Sequence, residues 1–297
     1  MRKLGEYLLS TNSRASAIAL GCALLPLLSI PGDFLAGIIV GLVTLRKGMR
    51  AGLIVLAWVA LPAVSMLYLR QWGVFEALWL RCALVWIFAG VLRRYSWRRV
   101  FEGITLLGIV AVAVVHGIMP DVKQLWIKAM HTYYQSLSAD LWGVNAEQIN
   151  TLITRVAPYA TGAAASGVAF STVIQLMLAR VWEGVLTLPG LFKAEFIRTR
   201  MPWGACVVLM GIAVAISLKW PVALDMALMA LFPFWFCGLA LLHYLANYKP
   251  RLWMPLLGAL YVVMIFLPLI GMSMVALSGF VDGFINIRHR FVLKMNT

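Results

Sequence analysis

The sequence predicts an all-α, polytopic integral membrane helical bundle, and three observations lead to that fold class. Of the 297 residues, 63% are hydrophobic and only 12% are charged, whereas a soluble domain is about 45–50% apolar and about 25% charged. Several runs of 16 or more residues carry no charge, and runs of that length cross most of a hydrocarbon core that is roughly 30 Å thick. Clusters of Lys and Arg separate many of these runs, as is typical of membrane proteins.

The order of the runs predicts eight to ten transmembrane segments in a single membrane domain over 1–297. The first hairpin turns at Pro31-Gly32-Asp33, and its second arm, 34–45, is about 18 Å long, which is short for a crossing. The final stretch is too long for one ordinary crossing, so it is divided at Pro268. The predicted segments are a short hairpin at 15–45, spans at 51–69, 73–92, 101–119, 151–179, 203–218 and 222–247, and a short hairpin at 253–287.

Residues 120–150 have a different pattern from the spans, because acidic and basic residues alternate there with apolar ones. Leu125, Trp126, Met130, Tyr133 and Tyr134 recur at roughly helical spacing. Trp and Tyr are favoured at the boundary between lipid and water. The stretch around 121–150 is therefore predicted to be an amphipathic helix at the outer interface.

Charge placement predicts the orientation of the chain. The 25 Lys and Arg exceed the 11 Asp and Glu and give a net charge of +14. With ten segments, nineteen of these cations share one side, five lie on the other, and Arg81 falls within the membrane. The positive-inside rule then predicts cytoplasmic N- and C-termini. The same rule, together with anionic lipid headgroups, explains the basic charge better than nucleic-acid binding does.

Motifs for enzymatic chemistry and metal binding are not found. The sequence has no Walker A motif, no Gly-x-Ser-x-Gly and no His-Glu-x-x-His. Its four cysteines lie inside apolar runs without metal or disulfide spacing. We therefore expect no enzymatic activity, no cofactor and no metal.

Ionisable residues inside spans are costly and often functional. One interpretation places Glu76, Arg81, His116 and Arg155 in an outward-facing polar pocket that binds a ligand. The alternative is an ion-pair network that holds helix ends at the interface. For Asp33, a role in the turn is favoured over ligand binding. For Asp225, a role at the start of a helix is favoured over ligand binding. Asp282 lies about one and a half turns before the C-terminal arginines, and we expect it to pair with one of them or with a neighbouring helix.

Small residues recur at spacings that let helices approach closely. Such faces stabilise helix pairs in lipid, where apolar burial offers little driving force. Internal packing and docking of a membrane partner both remain open for this set, which comprises Ala15, Ala19, Ala23, Gly37 and Gly41.

Four stretches resemble the YybS-like family, bacterial membrane proteins of unknown function. They are Leu42-Val-Thr-Leu-Arg46-Lys-Gly48, Val156-Ala-Pro158 with the helix that ends at Arg180, Glu195 to Pro202, and Gly279-Phe-Val-Asp282 with Arg288. The resemblance implies a distant fold likeness to the substrate-binding components of energy-coupling-factor vitamin transporters. In those components an Ala-xxx-Ala face on the first helix docks a membrane partner, and Ala15-xxx-Ala19 is similar.

Two functions from different classes follow. The first is a membrane-embedded component that binds or transports a small molecule or lipid. The alternative is a membrane scaffold that transports nothing and binds partner proteins or anionic lipid through its small-residue faces and basic loops. The expected partners are therefore the lipid bilayer, a membrane protein and a small-molecule or lipid ligand, without nucleic acid.

Overall fold

The computed structural model describes residues 2–28, 30, 32–68, 72–136 and 146–289. Within its helices, the side chains of residues 27, 28, 66, 67, 72–77, 136 and 146 are outside the described part. All regular secondary structure in these ranges is helical, and no strand occurs in them. The predicted all-α class is therefore confirmed.

Fourteen α-helices and two short 3₁₀ turns, Leu25–Leu28 and Ala157–Tyr159, make up the described chain. The helices are α1 (Arg2–Ser10), α2 (Asn12–Leu24), α3 (Gly32–Lys47), α4 (Met49–Tyr68), α5 (Trp72–Arg94), α6 (Trp97–Ile118), α7 (Val122–Ser136), α8 (Ala146–Val156), α9 (Ala160–Leu186), α10 (Leu191–Phe196), α11 (Trp203–Ser217), α12 (Ala223–Tyr248), α13 (Pro250–Phe266) and α14 (Pro268–Ile285).

Four helical stretches of the described residues are long and apolar enough to cross a membrane: Trp97–Ile118, Glu147–Leu186, Ala223–Tyr248 and Pro268–Ile285. Four is fewer than the predicted eight to ten. Met49–Ser65, Trp203–Ser217 and Pro250–Phe266 are apolar but shorter. Part of the difference is geometric, because α2 and α3 have only 13 and 16 residues and reach roughly 20 and 24 Å, below the thickness of a hydrocarbon core.

The chain divides into two compact units, and the first comprises residues 1–104, 168–200 and 240–253. In this unit 1, the small-residue faces lie in the interior. Ala15, Ala19 and Ala23 on α2 are fully buried. On α3, a Cβ at Gly37 would contact the side-chain oxygen of Gln175, and one at Gly41 would lie 3.0 Å from Val85 and 3.1 Å from Ala179. These residues therefore pack helices within unit 1.

Unit 2 comprises residues 105–167, 201–239 and 254–297. Its helices α12 and α14 approach at their backbones, because a Cβ at Gly279 would contact the Phe234 carbonyl and one at Gly238 would contact the Val275 carbonyl. The stretch predicted as one interfacial helix around 121–150 contains α7 and the start of α8, while residues 137–145 lie outside the described residues. The single membrane domain over 1–297 stays a prediction.

Candidate functional site

The candidate site is a buried hydrogen-bonded cluster in unit 2, formed by the side chains of His116 and Asp225 with the backbone N–H of Gly162. His116 Nε2 lies 2.7 Å from Asp225 Oδ2. The Gly162 N–H donates to Asp225 Oδ1 over 2.7 Å. Both oxygens of Asp225 are thus held. We call this group the His116–Asp225 cluster.

Three helix ends bring these groups together. His116 lies in the last turn of α6, Asp225 lies in the first turn of α12, and Gly162 is the third residue of α9. The first N–H groups of a helix have no partner within it and carry partial positive charge. A carboxylate from α12 therefore stabilises the start of α9. The sequence predicted a helix-start role for Asp225, and the residue does lie at the start of α12. Its side chain, however, caps a different helix, α9.

Gly162 makes this approach sterically possible. A Cβ at this position would contact the backbone carbonyl of Asp225. The two backbones are therefore too close for any other residue without a shift. The close approach places the Asp225 carboxylate on the start of α9 and leaves it 1% exposed.

Helix α7 packs beside the same helix start. The Trp126 indole N–H donates to Thr161 Oγ1 over 2.9 Å, and Val122 at the beginning of α7 is buried. The predicted amphipathic segment thus contributes an aromatic side chain that contacts the residue next to Gly162. The His116 side chain nevertheless remains 22% exposed, so the cluster has one accessible group and one buried group.

This arrangement can hydrogen-bond a polar ligand, because the His116 imidazole can donate and accept hydrogen bonds through its two ring nitrogens. The imidazole is also the accessible member of the pair, so a ligand or water can reach it before it reaches the carboxylate. Within the described residues, no group of three or more His, Cys, Asp or Glu side chains lies together as a metal site would require.

The other predicted pocket residues have their own surroundings. In unit 1, Arg81 Nη1 lies 3.5 Å from Asp33 Oδ2, and the Cys82 thiol is 4.0 Å from the Asp33 carbonyl. Arg155 is an exposed residue of α8 in unit 2. Glu76 belongs to α5, but its side chain lies outside the described residues. The four-residue pocket of Glu76, Arg81, His116 and Arg155 therefore stays a prediction.

Two of the family-like residues pair near the end of the described chain. Asp282 is fully buried in α14, and Arg288 Nε lies 3.2 Å from its Oδ2. Arg288 Nη2 also donates to the Cys237 carbonyl on α12 over 3.4 Å. Gly279 packs against α12, as described above. Asp282 thus pairs with Arg288, which is one of the two C-terminal arginines expected from the sequence. The other, Arg290, lies outside the described residues.

Another family-like residue, Arg180 on α9, connects two acidic side chains. It pairs with Glu183 one turn along the helix and with Glu195 on α10. The Trp97 indole N–H donates to Glu195 Oε2 over 3.3 Å. These contacts join α9, α10 and the start of α6 within unit 1.

The remaining family-like residues occupy turns or helix starts. Gly48 separates α3 from α4 with a positive φ of 98°, and Arg46 before it is exposed. Pro158 lies in the 3₁₀ turn before α9. Pro202 caps α11 in an extended conformation. These positions are where Gly and Pro are expected from their backbone preferences.

Sequence reasoning did not identify the contact of Asp225 with His116 and Gly162. The two contacts of Asp225 span 63 and 109 positions of the chain, so no local pattern connects these residues. One signal was available in the sequence. Asp225 lies at the start of one apolar helix and His116 at the end of another, and this pattern predicts that the two residues lie on the same side of the membrane.

No family model, no curated protein and no solved structure matches this chain. The function is therefore inferred from the geometry of the described residues.

Proposed function

We propose that this chain is a multi-pass protein of the bacterial cytoplasmic membrane that binds or transports a small molecule or lipid. In this proposal the His116–Asp225 cluster is the polar part of the binding site. The observation that carries it is the combination of a fully held, 1% exposed carboxylate with a partly exposed imidazole. A buried ionisable pair among apolar helices is costly and is by default a candidate functional site.

The geometry also limits the chemistry of the ligand. Asp225 is 1% exposed, with its two oxygens against His116 and the Gly162 N–H. The ligand must therefore contact His116, and it needs a polar group that hydrogen-bonds an imidazole. The apolar surroundings favour a molecule whose remaining surface is hydrophobic.

Native mass spectrometry of the protein extracted from its own membrane tests this proposal. We expect a bound small molecule or lipid on the natural chain and a loss of at least tenfold in its occupancy in His116→Leu. His131→Leu is the matched control, because it makes the same substitution on α7 in the same unit, and it should retain the ligand. Equal occupancy in all three proteins, with unfolding temperatures unchanged, would contradict the proposal.

The finer topology belongs to the same proposal. Ten membrane segments with both termini in the cytoplasm place nineteen cations on one side and five on the other, which supports this orientation. The short helices α2 and α3 then form a hairpin whose second helix, α3, is covered by protein instead of lipid. Short helices are tolerated at membrane depth when protein surrounds them, and most of α3 is buried.

Membership of the YybS-like family is likewise a proposal, supported by the four sequence stretches given above. The Arg180–Glu195 and Asp282–Arg288 pairs give the charged residues of three stretches a physical role in packing. The scaffold alternative relied in part on an accessible alanine face. Because Ala15, Ala19 and Ala23 are buried inside unit 1, the ligand-binding function is favoured.

A further inference from the structure

A group of cations surrounds the tight turn between α3 and α4. The turn consists of Gly48 alone, since α3 ends at Lys47 and α4 begins at Met49. The last turns of α5 pack directly against it. The Trp86 indole N–H donates to the Met49 carbonyl over 3.0 Å, and a Cβ at Gly90 would contact the Met49 sulfur.

Three helix ends therefore contribute basic side chains to one place. A Cβ at Gly48 would contact Nη1 of Arg93, so the missing side chain of Gly48 leaves room for this guanidinium. All the cations of the group are exposed. We call it the Gly48 basic patch, and it comprises Arg46, Lys47, Arg50, Arg93 and Arg94.

The patch differs from the neighbouring basic pair at the start of α6. Arg98 and Arg99 both contact Glu102, at 2.8 and 2.9 Å, so their charge is partly neutralised. In the described part of the chain, no ion pair involves Arg46, Arg50, Arg93 or Arg94. Four guanidinium groups thus present donors that fit phosphate oxygens.

An apolar stripe continues from the patch along α4. At helical spacing after Arg50, the exposed residues Leu53, Ile54, Trp58 and Leu61 form one face, whereas Val55 and Val59 on the opposite face are buried. Arg50 and Leu61 are eleven residues apart, or about 16 Å along the helix. That length matches one leaflet of hydrocarbon, which is about 15 Å deep.

We propose that the Gly48 basic patch binds the headgroup of an anionic phospholipid, whose acyl chains lie along the α4 stripe. The site is complementary to such a lipid, because its cations fit the headgroup and its apolar face is as long as the acyl chains of one leaflet. A soluble phosphate ion would use the patch without the stripe. A nucleic acid would gain nothing from the apolar face. The site lies in unit 1 and does not depend on the function proposed for the His116–Asp225 cluster.

Native mass spectrometry with added lipid tests this inference on the full chain in detergent. Phosphatidylglycerol is compared with phosphatidylcholine, and glycerol phosphate serves as the headgroup without acyl chains. We expect Arg50→Gln/Arg93→Gln to lower the occupancy of phosphatidylglycerol at least fivefold. Arg98→Gln/Arg99→Gln is the matched control, because it removes two arginines whose charge Glu102 partly neutralises, and it should change occupancy less than twofold.

Two further results are expected. Arg50→Lys/Arg93→Lys should retain more binding than the glutamine variant, since it keeps the charge. Glycerol phosphate should not displace the lipid at equal concentration. Equal losses in the glutamine variant and its control would overturn the site, and so would equal binding of phosphatidylcholine. Displacement by glycerol phosphate would show a soluble anion site instead. Circular dichroism melting of each variant identifies any that fail to fold. If the glutamine variant does not fold, the phosphatidylglycerol occupancy of the lysine variant decides whether the site exists.

Discussion

Arg288 Nε lies 3.2 Å from Asp282 Oδ2, and this ion pair is buried, with the two residues 8% and 0% exposed. Helix α14 ends between them, where Asn286 has a positive φ of 49° and its N–H donates to the Asp282 carbonyl. Arg288 lies beyond this helix end and contacts both Asp282 and the Cys237 carbonyl on α12. The carboxylate of the apolar C-terminal helix is thus the buried partner of this arginine.

Removing one partner of this pair should destabilise the protein strongly. Arg288→Leu leaves the Asp282 carboxylate buried without its cation, and we expect the free energy of unfolding to fall by about 3 kcal/mol. Asp282→Leu should have a similar effect. The double variant should lose much less than the sum of the two, since no buried charge is left over. Unfolding followed by circular dichroism in detergent measures these values. Glu6→Leu, which breaks the exposed pair with Arg2, is the control, and additive losses would contradict the prediction.

Adding one methyl group at Gly162 should separate α9 from α12. In Gly162→Ala the new Cβ meets the Asp225 carbonyl, and relieving that contact should cost about 1–3 kcal/mol of unfolding free energy. Gly167→Ala on the same helix is the matched control, because nothing lies within 4 Å of its Cβ position. It should be neutral or slightly stabilising, as alanine is the better helix former. Thermal unfolding distinguishes the two, and equal melting temperatures would contradict the close approach.

Much of the helical architecture follows from local patterns in the sequence. Uncharged runs predicted helices at 51–69 and 222–247, and the structure has α4 at Met49–Tyr68 and α12 at Ala223–Tyr248. The break at Pro268 was visible because proline disfavours a continuing helix. Local patterns did not predict α1 or α10, because short helices depend on contacts made elsewhere in the fold.

The candidate site was less predictable than the helices. His116 was identified as an intramembrane ionisable residue, but Asp225 was interpreted as a helix-start residue. Hydrogen bonds across more than 60 positions depend on which helix ends meet, and a single sequence does not specify that. The pairing of Asp282 with an arginine was foreseen because the two residues are close along the chain.

Arg180 should hold the loop that carries α10. Because Arg180 pairs with Glu195, and Glu195 accepts from Trp97, Arg180→Gln should release α10 from α9. Trypsin cleavage after Lys193 or Arg198 should then accelerate about tenfold, which corresponds to about 1.4 kcal/mol of lost local stability. Arg180→Lys should have a smaller effect, since a lysine keeps the positive charge, although it does not bridge two carboxylates as a guanidinium does. Arg98→Gln is the control, and an unchanged cleavage rate in Arg180→Gln would contradict the role.

The proposed orientation gives a prediction that fusion proteins test directly. A reporter that is active only in the cytoplasm should be active after Thr297 and inactive after Lys219, while a periplasmic reporter should give the opposite result. The reason is charge, because a C-terminus outside the cell would carry Arg288, Arg290 and Lys294 to the wrong side. Fusions after Tyr95 control for expression, since that position follows the Arg93-Arg94 cluster. Periplasmic activity after Thr297 would mean that 253–287 crosses once, and the ten-segment topology would then be wrong.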